Sequence, residues 1–155
     1  MNKQNKALLQ SLEYAWRKHR SPSVPDFAIP ATKYKDDSAN ALTKCVIDFL
    51  TYSGFQAERI NTMGKRIDNR KQVETVAGKR EIGSVSWIKG TGTKGSADIS
   101  AVIKGRAVKI EIKYGKDRQS ADQKAYQQAI ESAGGVYVIV KDFDGFIEWF
   151  NTYLI

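Results

Sequence analysis

Two carboxylates and an amine carry most of the chemistry that this 155-residue chain offers: Asp98, Glu111 and Lys113. Ser100 to Ile103 and Arg106 to Lys113 read as strands rich in β-branched residues, and Lys104-Gly105 between them suits a two-residue hairpin because glycine tolerates positive φ. Counting outward from that turn pairs Ile103 with Arg106, Ala101 with Val108, Ile99 with Ile110, and Asp98 with Glu111. Directly opposed Cβ atoms lie about 4.5–5.5 Å apart, and like charges placed there repel unless something positive lies between them. A divalent cation answers that repulsion. Side-chain alternation sets Lys113 on the face of Glu111 and turns Ile110 and Ile112 the other way, into apolar packing. The competing reading is a solvated Glu/Lys ladder beside an ordinary Asp turn, and moving the turn by one residue would undo the pairing.

Hydrophobic spacing places these residues in a chain of elements. A helix is expected over about 4–19, with Leu8, Leu9, Leu12, Ala15, Trp16 and His19 on one face. Pro22, Pro25 and Pro30 then break the pattern, so residues 1–35 read as a helix and an arm preceding a domain over 36–155. A second helix, about 38–53, has the stripe Leu42, Cys45, Val46, Phe49 and Leu50. A short strand follows near Phe55 to Ile60. The basic stretch Asn61 to Arg80 has no clear period and reads as a mobile loop or a hairpin, and Ile82 to Ile88 as a strand. After the Asp98/Glu111 hairpin, Ser120 to Gln123 fits a capping box that opens a third helix. Val136 to Val140 suits a buried parallel strand. A last helix, capped by Asp142, presents Phe146, Trp149, Phe150 and Tyr153. The core order is helix, three strands, helix, strand, helix.

Charge narrows the partners. The formal net charge is +8, which favours a polyanion. Residues 1–35 carry seven Lys/Arg against two acids and residues 55–94 nine against four, whereas residues 95–155 balance at eight against eight. Positive flanks around a locally acidic site suit phosphate binding combined with metal binding better than uniform neutralisation does. Solubilising surface charge is the alternative. The single cysteine, Cys45, rules out an internal disulfide, and the single histidine, His19, rules out a multi-histidine metal site. No run is long and apolar enough to span a membrane, and the first residues lack the apolar stretch of a secretion signal, so a cytoplasmic protein is expected.

Gly90-Thr91-Gly92-Thr93-Lys94-Gly95 matches a dinucleotide-binding pattern. The context is wrong, because a β-rich run and not a helix follows it. The glycines suit close approach of a phosphate backbone, with Lys94 and Ser96 beside it, or an unliganded loop.

Gly95-Ser96-Ala97-Asp98, then Glu111-Ile112-Lys113, then Gln123 at a helix start with Tyr126 behind it, resembles the PD-(D/E)xK nuclease superfamily, most closely its VRR-NUC group of small phage-encoded or junction-resolving nucleases. The resemblance covers about residues 38–150. It implies an α/β fold with a restriction-endonuclease-like αβββαβ core, a mixed sheet flanked by helices, to which the N-terminal helix is an extension. It also implies Mg2+ or Mn2+ held by Asp98, Glu111 and the backbone carbonyl of Ile112. Lys113 would orient water or neutralise charge on the phosphate. Gln123 would hydrogen-bond the water or a ligand, its alternative being the capping box alone. The implied activity is endonucleolytic hydrolysis of DNA, with branched or flapped DNA as a possible preference. RNA is also compatible, as is a homodimer. Arg66, Arg70, Lys94, Ser96, Lys116 and Arg118 would contact nucleic acid.

The sequence departs from the family pattern at two positions. Ala97 stands where proline usually precedes the Asp, and Thr43 falls near where many members carry a helix Glu. The second departure keeps open a non-catalytic nucleic-acid-binding module on the same fold.

Overall fold

A computed structural model describes residues 1–154 apart from 62, 63, 76, 77, 89 and 91. The chain forms two compact units, residues 1–60 with 95–155, and residues 61–94. The boundary expected at 35/36 therefore lies inside the first unit.

The first unit is mixed α/β. Its sheet has the order β1 (Gln56–Arg59), β6 (Ile99–Ile103), β7 (Arg106–Ile112), β8 (Val136–Val140); the first three run antiparallel and β8 lies parallel to β7. The β6/β7 register follows the count from the turn: Ile103 faces Arg106, Ala101 faces Val108 and Ile99 faces Ile110. Lys104 (φ 50°) and Gly105 (φ 77°) both take the left-handed backbone that a tight hairpin of matching twist requires.

Even-numbered residues of β7 and odd-numbered residues of β6 turn to one face. Val108, Ile110, Ile112, Ile99, Ala101 and Ile103 are buried there with Leu42, Val46, Phe49 and Leu50 of α2 (Ala39–Tyr52) and Phe143, Phe146 and Phe150 of α4 (Phe143–Leu154). Phe49 packs edge-on against all three of those aromatic rings. The opposite face carries Ser100, Lys109, Glu111 and Tyr137, and α3 (Ala121–Ser132) covers part of it. Serine caps start two of the helices, Ser38 for α2 and Ser120 for α3, the latter in a complete capping box with Gln123.

The face of α1 (Lys3–Arg20) differs from expectation. Leu9 and Glu13 are its buried residues, while Leu8, Ala15 and His19 are exposed. Apolar periodicity missed this because the centre of the buried face is a carboxylate. Glu13 Oε1 accepts from Nε and Nη2 of Arg17 (2.9 and 2.8 Å) and from the Thr32 hydroxyl, and Oε2 accepts from Thr32 N (3.0 Å). The proline-containing arm is thereby fastened back onto the helix. At its other end, α1 is tied to α4, where Asn2 N and Asn5 Nδ2 donate to the Asp144 carboxylate.

The second unit is a β-ribbon. Its strands are β2 (Lys65–Asp68), β3 (Lys71–Thr75), β4 (Gly78–Ile82) and β5 (Val85–Ile88), with β2 paired to β5 and β3 to β4. Of the two readings of Asn61 to Arg80, a mobile loop or a hairpin, the pairing of β3 with β4 bears out the hairpin, and Ile82 to Ile88, expected as one strand, is split between β4 and β5. The three strands before α3 that share the sheet are β1, β6 and β7. Among the described residues, no helix is long and apolar enough to cross a membrane.

Candidate active site

Glu111 and Lys113 lie at the C-terminal end of β7, on the face turned toward α3. β7 is a central strand, hydrogen-bonded on both sides, so its end is a rigid mount. Glu111 is only 1 % exposed and Lys113 only 6 %. Lys113 Nζ lies 2.9 Å from Glu111 Oε1 and 3.1 Å from Asp117 Oδ2, which bridges the lysine to the exposed connection after β7.

Asp98 joins them from the neighbouring chain segment. Its carbonyl accepts from Ile60 N (2.8 Å), extending the β1/β6 pairing, and its carboxylate Oδ2 accepts from Ile112 N (2.8 Å). The aspartate thus lies over the peptide that links Glu111 to Ile112. The loop that delivers Asp98 is pinned to α3 at Gly95, which has φ 77° and whose added Cβ would sit 2.4 Å from the Asp122 carbonyl carbon and oxygen. Only glycine fits that approach.

Gln123 forms the capping box and also reaches Glu111. Its Oε1 accepts from Ser120 N (2.9 Å), completing the capping box, and its Nε2 donates to Glu111 Oε1. Tyr137, on β8, donates its hydroxyl to Glu111 Oε2 (3.2 Å) and meets Tyr126 of α3 edge-on. Apolar-run reasoning missed Tyr137. Its signal was parity, because Tyr137 stands beside Lys109 in the parallel register and so shares the face of Glu111.

Electrostatics set Glu111 apart. Burial raises its pKa above the carboxylate range, and the charge of Asp98 adds to that, against the pull of Lys113 and Tyr137. Burial also works against the Lys113 ammonium, but its hydrogen bonds to Glu111 and Asp117 outweigh this and raise its pKa. The cluster therefore holds a lysine firmly charged beside a carboxylate that three donors do not fully compensate.

The donor chemistry fits a hard cation. Two carboxylates and the Ile112 carbonyl offer oxygen only, which suits Mg2+ or Mn2+ with water completing the shell and gives no softer ion a reason to bind. Among the described residues, no group of three or more His, Cys, Asp or Glu is gathered anywhere, so the structure offers a pair of acids here and no closed protein cage. Thr43, at the position where a helix acid was sought, is buried with its hydroxyl donating to Ala39 O (2.7 Å).

The residues expected to contact nucleic acid are more scattered. Lys116 and Arg118 are exposed on either side of Asp117, next to the site. Ser96 is half-buried in the turn before Asp98. Lys94 ends the second unit, and Thr91 of the same glycine-rich loop lies outside the described residues. Arg66 and Arg70 belong to the ribbon and are turned to acids there: Arg70 pairs with Asp68 (2.7 Å) and Glu81 (3.2 Å), and Arg66 lies 3.8 Å from Asp68.

Comparison with protein-family models, with curated proteins and with solved structures finds no match for this chain.

Proposed function

We propose that this chain is a metal-dependent nuclease that hydrolyses DNA phosphodiesters as an endonuclease, on a core of the restriction-endonuclease type. The observation that carries this reading is the convergence of Asp98, Glu111 and Lys113 at one end of β7, with the Asp98 carboxylate 2.8 Å from Ile112 N and the Lys113 amine 2.9 Å from Glu111. The element order α2, β1, β6, β7, α3, β8 supports it. So does the excess of cations outside the site in a chain of net charge +8.

A divalent cation bound by Asp98, Glu111 and the Ile112 carbonyl would supply Lewis acidity to the scissile phosphate and to the attacking water. The chain's own residues do the rest. Gln123 and Tyr137 hold the Glu111 carboxylate in one rotamer. Lys113, fixed between Glu111 and Asp117, sets a permanent positive charge where the pentacovalent phosphate gathers negative charge. Lys116 and Arg118 offer screening charge to the flanking phosphates. A cytoplasmic setting fits a chain whose one cysteine is buried, its thiol pushed up to about 11 by desolvation.

The second reading, a nucleic-acid-binding module without catalysis, is favoured by Thr43 in place of a helix acid. Incubation with linear, nicked, flapped and four-way DNA in Mg2+, Mn2+ or EDTA separates the two. Cleavage in either metal, absent in EDTA and reduced at least about 10³-fold in Asp98→Ala, is expected. No product from any substrate in either metal would remove the enzymatic reading.

A further inference from the structure

The ribbon of residues 61–94 has two faces of different charge, and the difference follows from its register. β2/β5 and β3/β4 pair in one continuous count: Asp68 faces Val85, Lys71 faces Ile82, and Asn69 N donates to Ser84 O between them (3.2 Å). Side chains directly opposed across an antiparallel pair share a face, and that face alternates residue by residue.

One face therefore carries Arg66, Asp68, Arg70, Glu74, Lys79 and Glu81, three cations against three acids. It neutralises itself through the Asp68 and Glu81 pairs described above, and Glu74 stands opposite Lys79. The other face carries Lys65, Lys71 and Arg80 with Ile67, Val73, Ile82 and Ile88, and no acid at all. The three cations are exposed, and among the described residues none of them pairs with an acid. Around them Val73 is 37 %, Ile82 49 % and Ile88 54 % exposed.

We propose that this acid-free face, led by Lys65, Lys71 and Arg80, binds a DNA duplex with the ribbon lying along its major groove. A two-stranded ribbon fits a groove about 12 Å wide. Residues 65–75, at about 3.4 Å each, reach roughly one helical turn of about 34–36 Å. Cations along the rim of such a ribbon meet phosphates, and aliphatic side chains between them meet thymine methyls and sugar edges. Arg66 and Arg70, the arginines that sequence alone picks out, lie on the wrong face for this and are held by acids. The inference takes its partner from the reading of the chain as a DNA-acting protein but does not depend on hydrolysis.

The test measures duplex affinity by fluorescence anisotropy in EDTA, where cleavage plays no part, across a salt series. Lys65→Gln/Lys71→Gln/Arg80→Gln is expected to weaken binding at least about tenfold and to reduce the slope of log affinity against log salt by about 3, one contact each. Arg66→Gln/Arg70→Gln is expected to change affinity less than about twofold. Circular dichroism checks that both variants remain folded; all five positions are exposed, so folding is expected to survive. The proposal is overturned if the two variants weaken binding equally or if the triple variant binds as wild type does. It is also overturned if the triple variant instead loses self-association in sedimentation, which would make a second copy the occupant. Cleavage by the triple variant at saturating protein, compared with Asp98→Ala, separates failure of this arm from failure of the nuclease reading.

Discussion

Two glutamates, Glu13 and Glu111, are each 1 % exposed, yet their surroundings treat charge in opposite ways. At Glu13 burial also favours the neutral acid, but the Thr32 hydroxyl and amide and the Arg17 guanidinium overcome it and hold the pKa below the usual range. At Glu111 burial wins, helped by Asp98, and the pKa is raised. The first carboxylate is a fastening between helix and arm, complete in itself. The second is left with negative charge that a cation would relieve. Burial alone does not decide which charge state the surroundings of an acid favour; the balance of donors around it does.

The contrast is broken or sharpened most strongly by activity. Glu111→Gln is expected to abolish metal-dependent cleavage, a loss of at least about 10³-fold, while Glu13→Gln leaves the rate per folded molecule within about twofold. Stability should respond in the reverse order. An amide at Glu13 must turn its NH2 toward either Thr32 N or Arg17, both donors, so Glu13→Gln is expected to cost about 2–3 kcal/mol in urea unfolding. An amide at Glu111 can direct its NH2 to the Tyr137 hydroxyl, which rotates to accept, and it removes a charge the fold disfavours. Glu111→Gln is therefore expected to stay within about 1 kcal/mol of wild type. Equal destabilisation by the two substitutions would erase the distinction.

The smallest effect is on pH dependence. A carboxylate whose folded pKa is lowered contributes stability that is fully present above its ordinary value of 4.5 and is lost as pH falls through the depressed folded value. The stability gap between wild type and Glu13→Gln should narrow between neutrality and about pH 3. A gap that stays constant over that range would mean that folding does not lower the Glu13 pKa.

The hairpin at the site was legible in the sequence because β-branched runs on both sides of Lys104-Gly105 leave one good register, and the capping box at Ser120 because its signal is local. The buried face of α1 was not, since Glu13 is satisfied by Thr32, 19 residues away, and periodicity counts a carboxylate as surface. The ribbon was legible only as one of two readings, a mobile loop or a hairpin, for a related reason. Both of its faces carry cations, so polarity does not alternate, and only the pairing reveals that the acids are confined to one face. Tyr137 was hidden in an apolar run whose parity matters only once β8 is known to lie parallel to β7.

Binding of Mn2+ to the folded chain, followed by electron paramagnetic resonance of the free ion, addresses the central claim without any assumption about substrate. Wild type is expected to take up the ion, Asp98→Asn and Glu111→Gln to lose most of that uptake, and Glu13→Gln to retain it. Uptake by Asp98→Asn equal to that of wild type would contradict the assignment of these carboxylates as a metal centre.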